Sequence, residues 1–91
     1  MQIDHDTEAH RFQVRLPAGT AVLAYTPSGQ QTLDMYSTYV PAAARGQGVA
    51  AALVEAALAY ARAGGFRVIP SCWYVALWIR RHPEHADLLA A

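Results

Sequence analysis

The chain has no lysine, and Cys72 is its only cysteine. All seven basic residues are arginines, and seven acidic residues balance them, so the formal net charge is zero. A neutral chain offers little attraction to nucleic-acid phosphates or to an anionic membrane surface, and we expect neither kind of partner. A single cysteine cannot form an internal disulfide, which excludes the disulfide frameworks of small secreted proteins.

Export and membrane signals are also lacking. The first six residues are polar and acidic rather than basic and apolar, and no apolar run reaches the ~20 residues that cross a bilayer. With 91 residues, 54% of them hydrophobic and 15% charged, the chain can bury one modest core and is too apolar for disorder. We therefore predict one cytoplasmic domain over residues 10–91, after a flexible lead-in over residues 1–9. No Cys, His, Asp and Glu grouping has metal-ligand spacing, so no metal site is predicted.

Three segments in the first half predict β-strands. Residues 10–16, 20–26 and 31–40 combine alternating side chains with β-forming residues, and Pro- and Gly-containing turns separate them. The third segment has two predicted faces, one with Leu33, Met35 and Ser37, the other with Tyr36, Thr38 and Val40. Three strands joined by short turns indicate an antiparallel meander.

The pattern then changes to helical. Residues 46–63 are rich in alanine, the strongest helix former, and a Gly-Gly pair follows them. Residues 66–70 predict a short strand after this helix. The order strand, helix, strand predicts a right-handed crossover and a parallel pairing of the two strands. Residues 74–81 predict a last helix. The fold class is therefore α/β (α+β in some schemes), with a mostly antiparallel sheet, one parallel β-α-β crossover and two main helices.

The junction before the long helix suggests an anion site. Gly46 and Gly48 let a ligand approach the backbone closely, and the first N–H groups of a helix have no internal partners. The helix dipole and Arg45 add positive charge there. Together these features fit a phosphate or a diphosphate. A phosphate loop ending in Gly-Lys-Ser/Thr is absent, and the chain is too short for a dinucleotide fold.

At this junction the sequence resembles a known family. Residues 45–50, Arg-Gly-Gln-Gly-Val-Ala, resemble the Arg/Gln-x-x-Gly-x-Gly/Ala motif of the GNAT superfamily of N-acetyltransferases. The resemblance to the minimal, single-domain branch of that superfamily extends over residues 10–89. It is carried by residues 39–41, 53–57, 60–62, 68–72 and 81–89.

The resemblance implies acetyl-CoA as the cofactor and transfer of its acetyl group to an amine, either a small molecule or a protein. It implies that the coenzyme diphosphate rests on the backbone of Arg45, Gly46, Gln47, Gly48, Val49 and Ala50. It also implies that the pantetheine arm pairs with Thr38, Tyr39 and Val40, and that the acetyl end enters a gap between the third and fourth predicted strands. The minimal branch lacks the helices that usually build the acceptor pocket, so a partner or a second copy could complete it.

Two residues after the fourth predicted strand are candidates for catalysis. Cys72 has three alternative interpretations: a nucleophile that carries the acetyl group, a residue that only shapes the site, or a small buried thiol. Tyr74 either returns a proton to the coenzyme thiolate or simply packs. Relatives often have His where this chain has Ser37, so a base at that position is in doubt. His5, His10 and His85 are interpreted as ordinary surface histidines. The alternative functions are a non-catalytic CoA-binding module and a small interaction domain.

Overall fold

Five strands form a single sheet in chain order, β1-β2-β3-β4-β5. The computed structural model describes residues 1–90, and Ala91, the last residue of the predicted domain, lies outside them. The first four strands pair antiparallel, and β5 pairs parallel to β4. Their bounds are β1 (Asp4–Asp6), β2 (Arg11–Leu16), β3 (Gly19–Pro27), β4 (Thr32–Tyr39) and β5 (Arg67–Ile69). The predicted α+β class with one parallel crossover is confirmed.

Two helices complete the fold: α1 (Val49–Gly64), which connects β4 to β5, and α2 (Trp73–Arg81). Alanine favours α1 along its length, and Gly65 ends it in the left-handed region at φ 72°, where its N–H donates to the carbonyls of Ala61 and Arg62. Short 3-10 segments cover Ala42–Ala44 and Pro83–Leu88. Among residues 1–90, no helix is long and apolar enough to span a bilayer.

Both helices pack on the same face of the sheet. One core cluster joins the inward side chains of β2 to β5 to α1 and α2, and its largest fully buried members are Leu23, Met35, Leu53, Leu58, Val54, Val68 and Val75. On the opposite face, no described side chain is buried. We call this the open face. It carries Gln13, Val22, Ala24, Thr26, Asp34, Ser37 and Ile69.

A β-bulge corrects the faces predicted for β4. Ala24 pairs with Ser37 and Tyr25 with Met35, so Tyr36 is an extra residue in β4. One extra residue reverses the alternation beyond it. Ser37 therefore lies on the open face, and Thr38 lies opposite buried Leu23 on the core face. The predicted grouping of Ser37 with Met35 is wrong for this reason.

The prediction of a flexible lead-in over residues 1–9 is wrong at Asp4–Asp6, which form strand β1. This strand pairs with β2 over Asp4–Asp6, and its central residue, His5, is not an ordinary surface histidine. The His5 ring stacks on Phe12 at a centroid distance of 4.0 Å, and its Nε2 lies 2.6 Å from the hydroxyl oxygen of Tyr25. Three polar residues give too short a pattern to predict a strand, and the aromatic contacts that hold it come from elsewhere in the chain.

Candidate functional site

A cleft of about 510 Å³ opens where the end of β4 meets the first turns of α1 and α2. It gathers eight of the nine residues expected at the coenzyme: Thr38, Tyr39, Val40, Arg45, Gly46, Gly48, Val49 and Ala50. The ninth, Gln47, is exposed and does not line the cleft. Of the two catalytic candidates, Tyr74 lines the cleft and Cys72 does not. The structure thus brings residues from three segments of the chain to one place.

The loop before α1 leaves its backbone accessible. Gly46 and Gly48 have φ angles of 83° and 79°, in the left-handed region that side chains disfavour. A Cβ atom at either position would meet nothing within 4 Å. Backbone conformation, and not crowding, therefore accounts for glycine at both positions, and the space above them is open to a ligand.

The start of α1 has unused hydrogen-bond donors. Gly48 is its N-cap, which provides no side-chain cap, and the first turn contains no acidic residue. The first hydrogen bond of the helix runs from the Ala52 N–H to the Gly48 carbonyl. The amides of the residues between them therefore have no acceptor within the helix. Val49, Ala50 and Ala51 all line the cleft. An anion with several oxygen acceptors would satisfy these amides and benefit from the helix dipole.

Among residues 1–90, Arg45 is the one charged side chain that lines the cleft, and no carboxylate of these residues lines it. Its Nε donates a hydrogen bond to the Val40 carbonyl at 3.0 Å. This bond ties the loop back to the end of β4 and holds an exposed guanidinium at the cleft. The local charge is therefore positive, which suits a phosphate-bearing ligand.

Within residues 1–90, the edge of β4 that faces β5 has no strand partner along its final residues. Pairing with β5 covers only Thr32, Leu33 and Asp34, after which Cys72 N–H donates to the Met35 carbonyl at 2.9 Å. Beyond that bond, the chain after β5 turns into α2. The edge of β4 at Thr38 and Tyr39 can therefore pair with an extended ligand that carries amides.

The side chains that follow β5 differ in their access to the cleft. Cys72 is buried, and its thiol donates to Oγ1 of Thr38 at an Sγ–Oγ1 distance of 3.5 Å. Tyr74 is partly buried, and burial raises the pKa of its hydroxyl, with the nearby Arg81 charge acting in the opposite direction. The hydroxyl of Tyr74 is therefore a proton donor at neutral pH. Ser37 lies on the open face and does not contact the cleft.

Three lining residues were missed by sequence reasoning: Ala44, Ala51 and Trp73. The Trp73 side chain is 75% exposed, and its ring meets that of Tyr74 edge-on. An aromatic residue at the first position of a helix that faces the cleft is the signal that could have found it. Among residues 1–90, no group of three or more His, Cys, Asp or Glu could hold a metal ion.

Residues 11–88 match the family model described as GCN5-related N-acetyl-transferase. Protein NATD1 of Gallus gallus is 34% identical over 85 residues, which cover 91% of this chain and 77% of that protein. Protein NATD1 of Xenopus tropicalis is 33% identical over 85 residues, covering 91% and 78%. The fold also matches the NMR solution structure of a GCN5-like protein from Staphylococcus aureus, with a TM-score of 0.74, 16% identity, and coverage of 99% of this chain and 88% of that one. The chain therefore belongs to the GCN5-related N-acetyltransferase family.

Proposed function

We propose that this protein binds acetyl-CoA in the cleft and transfers the acetyl group to an amine. The observation that carries the proposal is the uncapped start of α1, which faces a cleft whose one charged side chain is Arg45. Family membership supports acetyl transfer in general. The cleft supports the coenzyme, because amide donors, a guanidinium and an unpaired strand edge match a diphosphate joined to an amide-bearing arm.

Each part of the cleft has a proposed task. The backbone of residues 45–50 binds the diphosphate, with Arg45 adding charge, and the free edge of β4 pairs with the pantetheine amides. The coenzyme supplies an acyl group activated as a thioester. Tyr74 holds a proton at the cleft wall, where its hydroxyl is a donor for a departing thiolate. Alignment of the reacting groups by these contacts contributes several kcal/mol to the rate, on the general scale of such effects.

A thermal melt with CoA and acetyl-CoA tests the binding step. A ligand at a hundredfold above its dissociation constant adds about 2.7 kcal/mol to the free energy of unfolding. Gly48→Glu places a carboxylate where the anion should bind, and we expect it to abolish the CoA-induced shift while the chain still folds. A wild-type protein that shows no shift with saturating CoA would contradict the proposal.

A second candidate, a CoA-binding module without catalysis, is favoured by one specific observation. Within the part of the chain that the structure describes, no His, Asp or Glu lines the cleft, so its wall offers no imidazole or carboxylate as a general base. Release of free thiol from acetyl-CoA, followed across a panel of primary amines, separates the two functions. Amine-dependent release supports transfer, whereas a CoA-induced melting shift with no release for any amine supports the binding module.

The location of the protein in the cell and its oligomeric state are two further proposals. A single buried thiol, Cys72, needs no oxidising compartment, which fits the predicted cytoplasmic location. Because the open face bears no packed element, a second copy of the chain could cover it, and sedimentation at increasing concentration tests the predicted homodimer.

A further inference from the structure

Thr38 forms the inner end of the cleft. Of the residues of β4, Thr38 and Tyr39 line the cleft, and none of residues 32–37 does. The hydrogen bond from Arg45 to the Val40 carbonyl holds the loop before α1 close to Val40, so Thr38 lies two residues further into β4 than that loop. Thr38 is therefore the residue towards which the arm of a coenzyme extends when its diphosphate binds at the start of α1 and the arm pairs with β4.

Two hydrogen bonds close the gap between β4 and the segment after β5. Both come from Cys72: its N–H donates to the Met35 carbonyl at 2.9 Å, and its thiol donates to Oγ1 of Thr38 at an Sγ–Oγ1 distance of 3.5 Å. They join the two segments at one point on the strand backbone and at one side chain that lines the cleft. The gap therefore ends at the contact between Thr38 and Cys72.

Packed side chains lie behind this contact. Cys72 is buried and belongs to the core cluster, which also contains the fully buried Met35 and Val75. Protein interiors are close-packed, and inserting extra methylene groups into them is destabilising. Thr38 is β-branched, so its side chain has few rotamers, and the bond from the Cys72 thiol favours the one observed. Ligand carbons that extend past Thr38 therefore meet a wall with little freedom to move.

We propose that the Thr38 side chain restricts the acyl group of the bound coenzyme to acetyl, and that Cys72 is the positioning residue behind it. This inference rests on the proposed function, because it assumes that an acyl-CoA binds with its acyl end at Thr38. A butyryl group has two more methylene groups than acetyl, and these need the space that the Thr38 side chain occupies. Thr38 thus has two tasks: its backbone pairs with the coenzyme arm, and its side chain selects against longer acyl groups.

Calorimetric titration of the protein with CoA, acetyl-CoA and butyryl-CoA tests this assignment and requires no turnover. We expect butyryl-CoA to bind the wild type about tenfold or more weakly than acetyl-CoA, the scale that follows from overpacking. Thr38→Ala removes the side-chain bulk and should reduce that ratio to about threefold or less. Thr38→Val keeps the bulk without the hydroxyl and should keep the discrimination. Each variant is scored by the ratio of two acyl-CoAs, so a general change in coenzyme affinity cancels.

Two further variants separate the positioning role of Cys72 from a merely structural one. Cys72→Ala leaves room behind Thr38 and should lower the ratio part of the way. Val14→Ala truncates a buried core residue of β2 that does not line the cleft, so it should lower thermal stability but keep the full ratio. An equal fall of the ratio in both variants would overturn the role of Cys72.

The titrations also distinguish failure of this inference from failure of the proposed function. A wild type that binds neither CoA nor acetyl-CoA would defeat the proposed function and this inference with it. A wild type that binds CoA, acetyl-CoA and butyryl-CoA equally would overturn the selective role of Thr38 alone. An undiminished ratio in Thr38→Ala would do the same, because the restriction would then come from another residue.

Discussion

The thiol of Cys72 lies 3.5 Å from Oγ1 of Thr38, across the gap that opens between β4 and the segment after β5. The bulge in β4 creates this contact, because it turns Thr38 towards the core face. The same contact bears on how the acetyl group moves. A nucleophilic cysteine needs thiolate character and access to its target, whereas this thiol is buried and donates its proton to a hydroxyl.

We therefore expect acetyl transfer to proceed without an acetylated cysteine. Incubation of the wild type with acetyl-CoA, in the absence of an amine, should leave its intact mass unchanged. Cys72→Ala should keep amine-dependent thiol release within about tenfold of the wild-type rate, because it removes a packing contact and the weak hydrogen bond to Thr38 but no group that carries the acetyl. A mass gain of one acetyl group in the wild type, absent in Cys72→Ala, would instead support the covalent route.

Gly48 should contribute to coenzyme binding as well as to the stability of the backbone at the start of α1. Gly48→Ala forces a side chain into the left-handed region, which costs about 1–2 kcal/mol, and adds a methyl group at a residue that lines the cleft. We expect lower thermal stability together with a smaller CoA-induced melting shift.

Gly29 offers a matched control for that variant. It also lies in the left-handed region, at φ 68°, and a Cβ atom there would meet nothing within 4 Å. It belongs to the turn between β3 and β4 and does not line the cleft. Gly29→Ala should therefore lose similar stability but keep the full CoA-induced shift, and equal losses of that shift in both variants would remove Gly48 from the binding site.

Arg45 should contribute charge to coenzyme binding as well as order to the loop. Arg45→Gln removes the guanidinium and its hydrogen bond to the Val40 carbonyl. Hydrogen bonds to charged groups contribute about 1.5–3 kcal/mol, so we expect CoA to bind about 10–100-fold more weakly in a calorimetric titration. The salt dependence of binding should fall as well, because one phosphate contact is lost.

Two comparisons make the Arg45 measurement specific. Arg15→Gln removes an exposed arginine of β2 that does not line the cleft, and it should leave CoA affinity unchanged. Pantetheine, which has no diphosphate, should bind the wild type and Arg45→Gln equally. If Arg45→Gln weakened the binding of pantetheine as much as the binding of CoA, the residue would act through the shape of the loop rather than through its charge.

The sequence predicts local structure best where a single residue type imposes a single constraint on the backbone. Glycines with positive φ, an alanine-rich helix and a proline after a strand predict local structure without reference to the rest of the chain. The face of Thr38 could not be predicted, because the bulge at Tyr36 depends on how β4 meets β3.

His5 should make the stability of the fold depend on pH. Burial is the largest cause that lowers the His5 pKa below its ordinary value of 6.5; the nearby Asp6 charge opposes that effect, and His10 adds to it. The folded protein therefore favours neutral His5, whose ring nitrogen lies 2.6 Å from the Tyr25 hydroxyl oxygen. Burial also raises the pKa of Tyr25, followed by the effects of Tyr60 and Asp6, so its hydroxyl stays protonated and can donate to His5.

The direction of the pH effect follows from proton linkage. Because the unfolded chain binds a proton at His5 more readily than the folded chain, this residue's contribution is fully present above pH 6.5. It is lost as the pH falls from 6.5 towards the lower folded pKa. Chemical denaturation across this range should show a decline in stability that is smaller in His5→Gln, with earlier amide exchange at β1 on acidification. Tyr25→Phe keeps the aromatic ring and removes the hydroxyl, so it should lower stability above pH 6.5. An unchanged pH profile in His5→Gln would show that other groups control the acid response.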